Sequence, residues 1–374
     1  MNACSQAPSR RRGFTLVELL LSTTVMAVLV VILASITGQT STIWRSTTGK
    51  VEQFREARAA FDTMSTRLSQ ATLNTYWDYF DQAGEPRSPS NAQDFVPAKY
   101  GRQSELRFIC GDADALLGAG PAGKRVGHGV FFHAPLGRVD DSNTTNTASF
   151  QGLDNLLNVT GYYSEFRDDR DLRPAFITPG IAPLKHRFRL MEFMQPSQQL
   201  ETYMNATDWF QSAANAQPAP VHVLAENIVA LVITPRLPRR EEENIKGMTA
   251  DPDSSPLAPD YSYDSISTGA AASAAPQWQG AVNSKNQLPP VLQITMVAID
   301  ETSASRLNLD SGSADIFKIE GKFQKTAKYS DDLLTASGSK ASLEDELIAR
   351  RVNYRIFTTN ISILAAKWSR EQTH

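Results

Sequence analysis

Cysteine is scarce in this chain of 374 residues, which contains only Cys4 and Cys110. Two cysteines cannot supply the ligands of a zinc ribbon. If Cys4 is removed with residues 1–13, no intrachain disulfide is available and the fold must depend on its core. We expect Cys110 to be a small buried hydrophobic residue on a strand.

Motifs of common catalytic sites are also missing. The sequence has no G-x-x-x-x-G-K-[ST] phosphate loop, no H-E-x-x-H zinc motif and no G-x-S-x-G elbow. His128 and His133 lie five residues apart on one predicted strand, so they point to opposite faces and do not share a metal. We therefore predict no enzyme activity, no cofactor and no metal site. An enzyme tethered by a signal anchor is the weakest of three functional hypotheses.

The charge is small, with 37 Lys and Arg against 40 Asp and Glu, a formal net charge of −3. No long basic face is present, so we expect no nucleic-acid partner. Loss of residues 1–13 would remove Arg10, Arg11 and Arg12. The balance would then be 34 against 40, or −6.

Long hydrophobic runs are lacking except at the N-terminus. No charged residue occurs between Glu18 and Arg45, a run of 26 residues. About 20 such residues suffice for a helix to cross a bilayer core of ~30 Å. The triple arginine precedes this run, so the positive-inside tendency keeps the N-terminus cytoplasmic and exports the C-terminal bulk. Hydroxyls of Ser22, Thr23 and Thr24 can bond back to the helix backbone.

Glu18 stands near the start of the apolar run, where a carboxylate is costly and marks a functional site. A conventional secretory signal fits poorly, because its apolar region would span only about 7–15 residues. The segment RRRGFTLVELLLS resembles the leader and cleavage signature of type IV prepilins and type II secretion pseudopilins. The resemblance implies a leader at 1–13, cleavage after Gly13 by a prepilin peptidase and methylation of the new N-terminal Phe14.

The same resemblance makes Glu18 the fifth mature residue. Cleavage creates an α-amine at Phe14, which Glu18 of a neighbouring subunit can pair with, setting subunit register. Two unit charges at 4 Å are worth ~4 kcal/mol at an effective dielectric of 20, before desolvation. The alternative is that Glu18 only reaches to the membrane interface. Gly13 suits a cleavage site because the protease needs an extended backbone without a bulky side chain.

The apolar pattern continues beyond the membrane as a helix stripe. We predict one helix from about Phe14 to Leu73, with a transmembrane and assembly part at 14–37 and an amphipathic stalk at 38–75. An independent coiled coil is the alternative. The stripe consists of Val51, Phe54, Ala57, Phe61, Met64, Leu68 and Ala71.

The remainder, 76–374, has strand-like runs that alternate apolar and polar residues, as half-buried antiparallel strands do. Together with the helix they predict an α+β, pilin-like fold. We expect a short helix near Asp345–Arg351 and a flexible surface insertion at about 237–289, which is rich in Pro, Ser and Ala. The predicted strands are 104–110, 129–134, 186–193, 226–236, 290–300 and 354–368.

Two finer resemblances concern the exported domain. The segments at 51–71, 223–236 and 288–300, with Trp278 between the last two, are similar to J-type minor pseudopilins of type II secretion. The ending YRIFTTNISILAAKW and the long insertions are closer to the Verru_Chthon cassette protein C family. The chain is longer than a usual J-type pseudopilin.

Three acidic clusters could supply calcium ligands, but a solvated turn is the simpler interpretation of each. They are Asp168, Asp169 and Asp171; Asp112 and Asp114; and Asp140 and Asp141. Glu241, Glu242 and Glu243 are interpreted as a solvent-facing charged loop.

The leading hypothesis is a minor pseudopilin-like structural subunit of a type II secretion or type IV pilus-like assembly. Its implied partners are a prepilin peptidase, other pseudopilins and an inner-membrane assembly platform. It would be a single-pass protein of the inner membrane. The second hypothesis is a pilin-anchored module that displays its sheet and large loop to capture a secreted substrate or another ligand.

Overall fold

The computed structural model describes residues 15–118, 123–139, 153, 155–174, 176–200, 209–216, 219–246, 254–266, 284–334 and 341–368, without the side chains of 42, 45–53 and 243–246. The predicted processing residues Arg10, Arg11, Arg12, Gly13 and Phe14 lie outside this part of the chain. The polypeptide divides into two compact units, residues 1–52 and 53–374.

Helix α1 spans Leu16–Ser69, within a few residues of the predicted bounds. Its last turn tightens because Gln70 N donates to the carbonyl of Arg67 at 3.1 Å, an i→i+3 bond that satisfies an end carbonyl. The chain then leaves the helix direction, since Thr72 N donates to the carbonyl of His133 at 2.8 Å. This bridge positions the segment that follows the helix against the sheet.

The strands form three antiparallel sheets among the described residues. The strands are β1 Tyr76–Phe80, β2 Lys99–Gln103, β3 Ile109–Asp112, β4 Gly123–Pro135, β5 Leu157–Arg167, β6 Arg187–Gln195, β7 Val221–Glu226, β8 Ile228–Arg236, β9 Tyr263–Asp264, β10 Val291–Ile299 and β11 Tyr354–Ser362. A six-stranded sheet has the order β7-β6-β5-β4-β3-β9, a three-stranded sheet has the order β11-β10-β8, and β1 pairs with β2 as a separate ribbon.

Short helices connect and cover these sheets. They are α2 Ala113–Leu117, α3 Trp209–Ala214, α4 Arg239–Lys246, α5 Glu301–Arg306, α6 Tyr329–Leu333 and α7 Leu343–Ala349. Helix α7 confirms the helix predicted before the last strand. It begins with a capping box in which Ser342 and Asp345 each accept from the other's backbone N–H. A long apolar helix followed by a mostly antiparallel sheet domain is the predicted α+β, pilin-like arrangement.

The apolar stripe of α1 packs into the main core of the domain. Ala57, Phe61, Met64 and Leu68 are buried together with residues from the inner faces of both large sheets. The stripe is therefore used within the chain, and the alternative of an independent coiled coil is wrong for residues 54–71. Cys110 lies in the same cluster, fully buried on β3, as predicted.

Two further clusters cover the opposite faces of the sheets. One contains Phe317, Leu343 and Leu347 from the C-terminal helices and turns, and another contains Trp209 and Phe210 of α3. With both faces covered, β6 is buried along its whole length. The prediction of a half-buried strand is wrong there.

The charged side chains of β6 are accommodated by ion pairs. Arg189 Nε lies 3.1 Å from Glu226 Oε1, and Arg187 Nη2 lies 2.7 Å from Glu301 Oε1. A buried charge needs such a partner, because desolvation is otherwise uncompensated.

The prediction of a surface insertion at 237–289 is wrong for part of that range. Leu257, Ala258 and Tyr261 are buried, and β9 pairs with β3 to form the edge of the six-stranded sheet. Residues 254–266 are therefore built into the six-stranded sheet and its core. Residues 247–253 and 267–283, including Trp278, lie outside the described residues.

The prediction of a strand over the whole of 104–110 is also wrong. Only its last two residues belong to β3, because Phe108 N donates to Ser265 Oγ at 2.9 Å and not to a ladder carbonyl. The other predicted runs contain strands with shifted bounds.

Candidate assembly site at the N-terminus

The first part of α1, Leu16–Ser41, is called the apolar segment below. It is long and apolar enough to cross a membrane, with 26 residues, a mean hydropathy of 2.6 and no buried share. Its large side chains are open to the surroundings, as shown by Leu16 at 81% and Leu29 at 54% exposure. Burying each such side chain is worth about 1.5–3 kcal/mol. The segment therefore requires cover from lipid or from other molecules.

Hydroxyl groups in the apolar segment are satisfied by the helix itself. Ser22 Oγ donates to the Leu19 carbonyl at 2.9 Å, and Thr23 and Thr24 donate to Leu20 and Leu21 at 3.0 and 2.8 Å. The predicted back-bonding is confirmed. These polar side chains do not need water, so they do not prevent burial of the segment in an apolar environment.

Glu18 is part of the helix cap. Thr15 N and Thr15 Oγ1 donate to Glu18 Oε2 at 3.0 and 3.1 Å, and Glu18 N donates back to Thr15 Oγ1 at 3.3 Å. This is a capping box, in which the first and fourth residues of a T-x-x-E sequence satisfy each other's free N–H groups. Its negative charge also suits the positive end of the helix dipole.

The capping box is a role for Glu18 beyond the predicted one, and Thr15-Leu16-Val17-Glu18 carries its sequence signature. Among the described residues no Lys or Arg forms an ion pair with Glu18. Its carboxylate is exposed at the start of the helix and can accept further donors, including a nearby amine.

Farther along α1, Arg67 links the helix to the six-stranded sheet. Its guanidinium forms an ion pair with Glu192 of β6, whose Oε1 also accepts from Tyr162 Oη of β5 at 2.9 Å. Burial, together with the neighbouring Glu192 carboxylate, raises the pKa of Tyr162. The phenol therefore stays neutral and donates to the carboxylate. This network fixes the C-terminal end of α1 on the sheet.

The two strand histidines lie on opposite faces of β4, as predicted. His128 Nδ1 accepts from Ile233 N at 3.2 Å and its Nε2 lies 3.2 Å from the Phe323 carbonyl. His133 Nδ1 lies 3.2 Å from the Arg107 carbonyl. Burial lowers the pKa of His128, and burial lowers the pKa of His133 to about 4. Both imidazoles are thus neutral members of the core.

The acidic cluster at 168–171 is engaged by arginines. Asp169 Oδ2 lies 2.9 Å from Arg173 Nε, and Asp171 forms an ion pair with Arg167. Asp112 instead caps α2 by accepting from Ala115 N at 2.9 Å. Asp140 and Asp141 lie outside the described residues. In the described part of the chain, no group of three His, Cys, Asp or Glu side chains is arranged to hold a metal ion.

The interpretation of 241–243 as a solvent-facing loop is wrong. These residues lie in α4, and Glu242 is only 8% exposed. Its carboxylate pairs with Arg236 at 3.3 Å, and Arg236 Nε donates to Gln293 Oε1 at 2.7 Å. The charge is held against the three-stranded sheet because a local cation compensates its burial.

Comparison with family models gave one match, covering residues 8–34. These residues match the model described as the prokaryotic N-terminal methylation motif. No curated protein and no solved structure matches the chain significantly. The match includes the positions of Gly13, Phe14 and Glu18.

The match and the apolar segment together indicate a type IV pilin-like or pseudopilin-like precursor. Proteins that carry this motif are structural subunits, and the single apolar helix near the N-terminus fits a pilin-type membrane anchor. The motif points to processing by a prepilin peptidase and to assembly with other pilin-like subunits.

Proposed function

We propose that this protein is a minor pseudopilin-like structural subunit of a type II secretion or type IV pilus-like assembly. Prepilin peptidase cuts it after Gly13 and Phe14 is methylated. The observation that carries the proposal is the methylation motif at residues 8–34, which overlaps the apolar segment with its exposed side chains.

Charge complementarity supports the role of Glu18. Cleavage would create a cationic amine at Phe14, four residues before an exposed carboxylate that has only Thr15 as a described partner. In a bundle of apolar segments from several subunits, an unpaired charge is penalised heavily, whereas a Glu18–amine pair between subunits offsets part of that penalty. The pair would favour one axial register of neighbouring helices.

The proposed location is the inner membrane, with the N-terminus cytoplasmic and the β-sheet domain exported. Arg10, Arg11 and Arg12 lie directly before the apolar segment, which favours this orientation. The assembly partners are other pseudopilins and an inner-membrane platform. Similarity of the segments at 51–71, 223–236 and 288–300 to J-type minor pseudopilins supports a minor-subunit role.

The cleavage assignment is tested by Gly13→Val, which places a branched side chain at the cut. We expect the variant to retain its leader, so that its mass corresponds to a chain starting at Met1 while the wild-type protein starts at methylated Phe14. Intact-mass spectrometry of both proteins, purified from cells with prepilin peptidase, makes the comparison.

Gly38→Val is the matched control, since a Cβ at Gly38 would meet nothing within 4 Å. This variant should lose its leader like the wild type. Normal processing of Gly13→Val would overturn the cleavage assignment.

A further inference from the structure

The ribbon formed by β1 and β2 carries an exposed row of aromatic side chains. Register places Trp77 opposite Arg102 and Tyr79 opposite Tyr100, so these four side chains share one face. We call this set the aromatic ladder. Its three rings are 50–59% exposed, whereas large aromatic side chains are mostly buried in folded proteins.

The ladder is ordered by contacts within itself. Ring centroids of Trp77 and Tyr100 are 5.4 Å apart in a stacked arrangement, and those of Tyr79 and Tyr100 are 5.0 Å apart. The Arg102 guanidinium lies 5.9 Å from the Trp77 ring centroid, and its Nη1 donates to the Lys367 carbonyl at 2.6 Å. The face is therefore preorganised, which reduces the entropy lost on binding.

A polar cavity adjoins the ladder through Arg102. Its volume is about 280 Å³. Besides three apolar residues, its described lining consists of hydroxyl, amide and two cationic side chains and includes no Asp or Glu. The polar lining residues are Thr72, Asn74, Thr75, Arg102, Asn286 and Lys367.

We propose that the aromatic ladder and this cavity bind an acidic polysaccharide, such as a polymer of uronic acids. Sugar rings present apolar C–H faces that pack on aromatic rings, and their hydroxyls bond to amide and hydroxyl side chains. Arg102 and Lys367, which share the cavity with no carboxylate from the described residues, complement the sugar carboxylates.

Single-stranded nucleic acid is the competing occupant, because it too combines stacking faces with negative charge. The chain favours the sugar. Its net charge is −3, whereas a nucleic-acid surface needs a longer basic track. The cavity is small and rich in hydroxyl and amide groups, which suits a single sugar unit with its neighbours on the ladder.

This inference does not depend on fibre assembly. It assigns a ligand surface that lies mainly on the β1–β2 ribbon and the segments beside it, to which the range 237–289 contributes Asn286.

Binding is tested on the full-length processed protein in detergent, with polygalacturonate oligomers as the probe and calorimetry as the readout. We expect saturable binding that weakens with added salt. Trp77→Ala and Lys367→Gln should each weaken it about tenfold or more, the effect of losing about 1.4 kcal/mol. Lys367→Gln leaves the backbone carbonyl that holds Arg102 in place.

Tyr76→Ala is the control, because Tyr76 is an exposed ring on the other face of the same ribbon. It should bind like the wild type. Near-ultraviolet circular dichroism of each variant reports whether the ring stack persists. The proposal is overturned by absence of saturable binding, by wild-type affinity of Lys367→Gln with the stack intact, or by tighter binding of a single-stranded oligonucleotide than of polygalacturonate.

Discussion

The apolar segment Leu16–Ser41 and the stalk residues from Phe54 onward belong to one helix but meet different surroundings. Leu29 in the first region is 54% exposed, whereas Leu68 in the second is fully buried by the domain's own sheets. The hydrophobic driving force is the same per unit area in both regions. The stalk is therefore stabilised by contacts within the chain, whereas the apolar segment requires cover from lipid or other molecules.

The charged side chains of α1 show the same contrast between its two parts. Arg67 and Glu192 satisfy each other within the domain, together with Tyr162. Among the residues that the structure describes, Glu18 is engaged only by the helix cap formed with Thr15. An exposed carboxylate at the start of an apolar helix is suited to a partner from another molecule, and this contrast can be tested by substitution.

The largest expected effect concerns Glu18→Gln. Glutamine can keep the capping box, since Gln also serves at that position, but it removes the charge. We expect incorporation into the assembly to fall about a hundredfold or more, because an ion pair at 4 Å is worth ~4 kcal/mol before desolvation. Sheared-fibre yield by immunoblot measures incorporation.

Glu18→Ala should show the same loss, and Glu56→Gln, an exposed acid on the same helix, should show none. If Glu18→Ala loses incorporation while Glu18→Gln retains it, then helix capping is the function of this residue and the intersubunit pair is refuted.

The next effect compares Leu68→Ala with Leu29→Ala, the same substitution in the two halves of one helix. Leu68→Ala should lower the free energy of unfolding of the β-sheet domain by about 2–5 kcal/mol through loss of burial and creation of a cavity. Leu29→Ala should change it by less than about 0.5 kcal/mol. Denaturant titration followed by tryptophan fluorescence provides the measurement. Equal losses of unfolding free energy in the two variants would contradict the contrast between the two parts of α1.

The third effect is a pH dependence from His133. Its folded pKa is about 4, below the ordinary 6.5, so the unfolded chain takes up the proton first as the pH falls. The contribution of His133 to the unfolding free energy is fully present above about pH 6.5. It is lost between pH 6.5 and 4 and amounts to about 3 kcal/mol at most. The slope of unfolding free energy against pH should become shallower in His133→Gln, while His222→Gln, at an exposed histidine, should retain the wild-type slope.

The smallest effect separates two arginines of α1. Arg67→Met should cost about 1–2 kcal/mol of unfolding free energy, since Glu192 keeps only part of its hydrogen bonding. Arg58 pairs with Asp62 at 3.2 Å with both side chains at least 60% exposed, so Arg58→Met should cost less than about 0.5 kcal/mol. If Arg58→Met lowers the unfolding free energy as much as Arg67→Met does, Arg58 also contributes to the contact between helix and sheet, contrary to the structure.

Several features were predictable because they depend on local pattern. The stripe Phe54–Ala71 has helical spacing, and the sequence before α7 carries a capping signal. Other features were not predictable. Strand β5 was missed because Asn158, Thr160 and Ser164 look solvent-facing in sequence, yet each donates to a buried backbone carbonyl.

The same reason explains the errors in the candidate sites. Glu242 is the middle of three acids that follow two arginines, a pattern typical of an exposed loop. Its actual partner, Arg236, is brought to it by the turn between β8 and α4. The aromatic ladder arises from two strands 19 residues or more apart, so no local pattern could show that Trp77, Tyr100 and Arg102 share one face.

The long apolar helix, its capping residue and the methylation motif follow from residue order alone, because they depend on neighbours within one turn or one continuous run. The folded structure sets which charges are paired, which half of the helix is buried, and which aromatic rings meet on the ribbon. Those outcomes depend on contacts between segments distant in the chain, where the free energy of burial is set by partners that no local stretch contains.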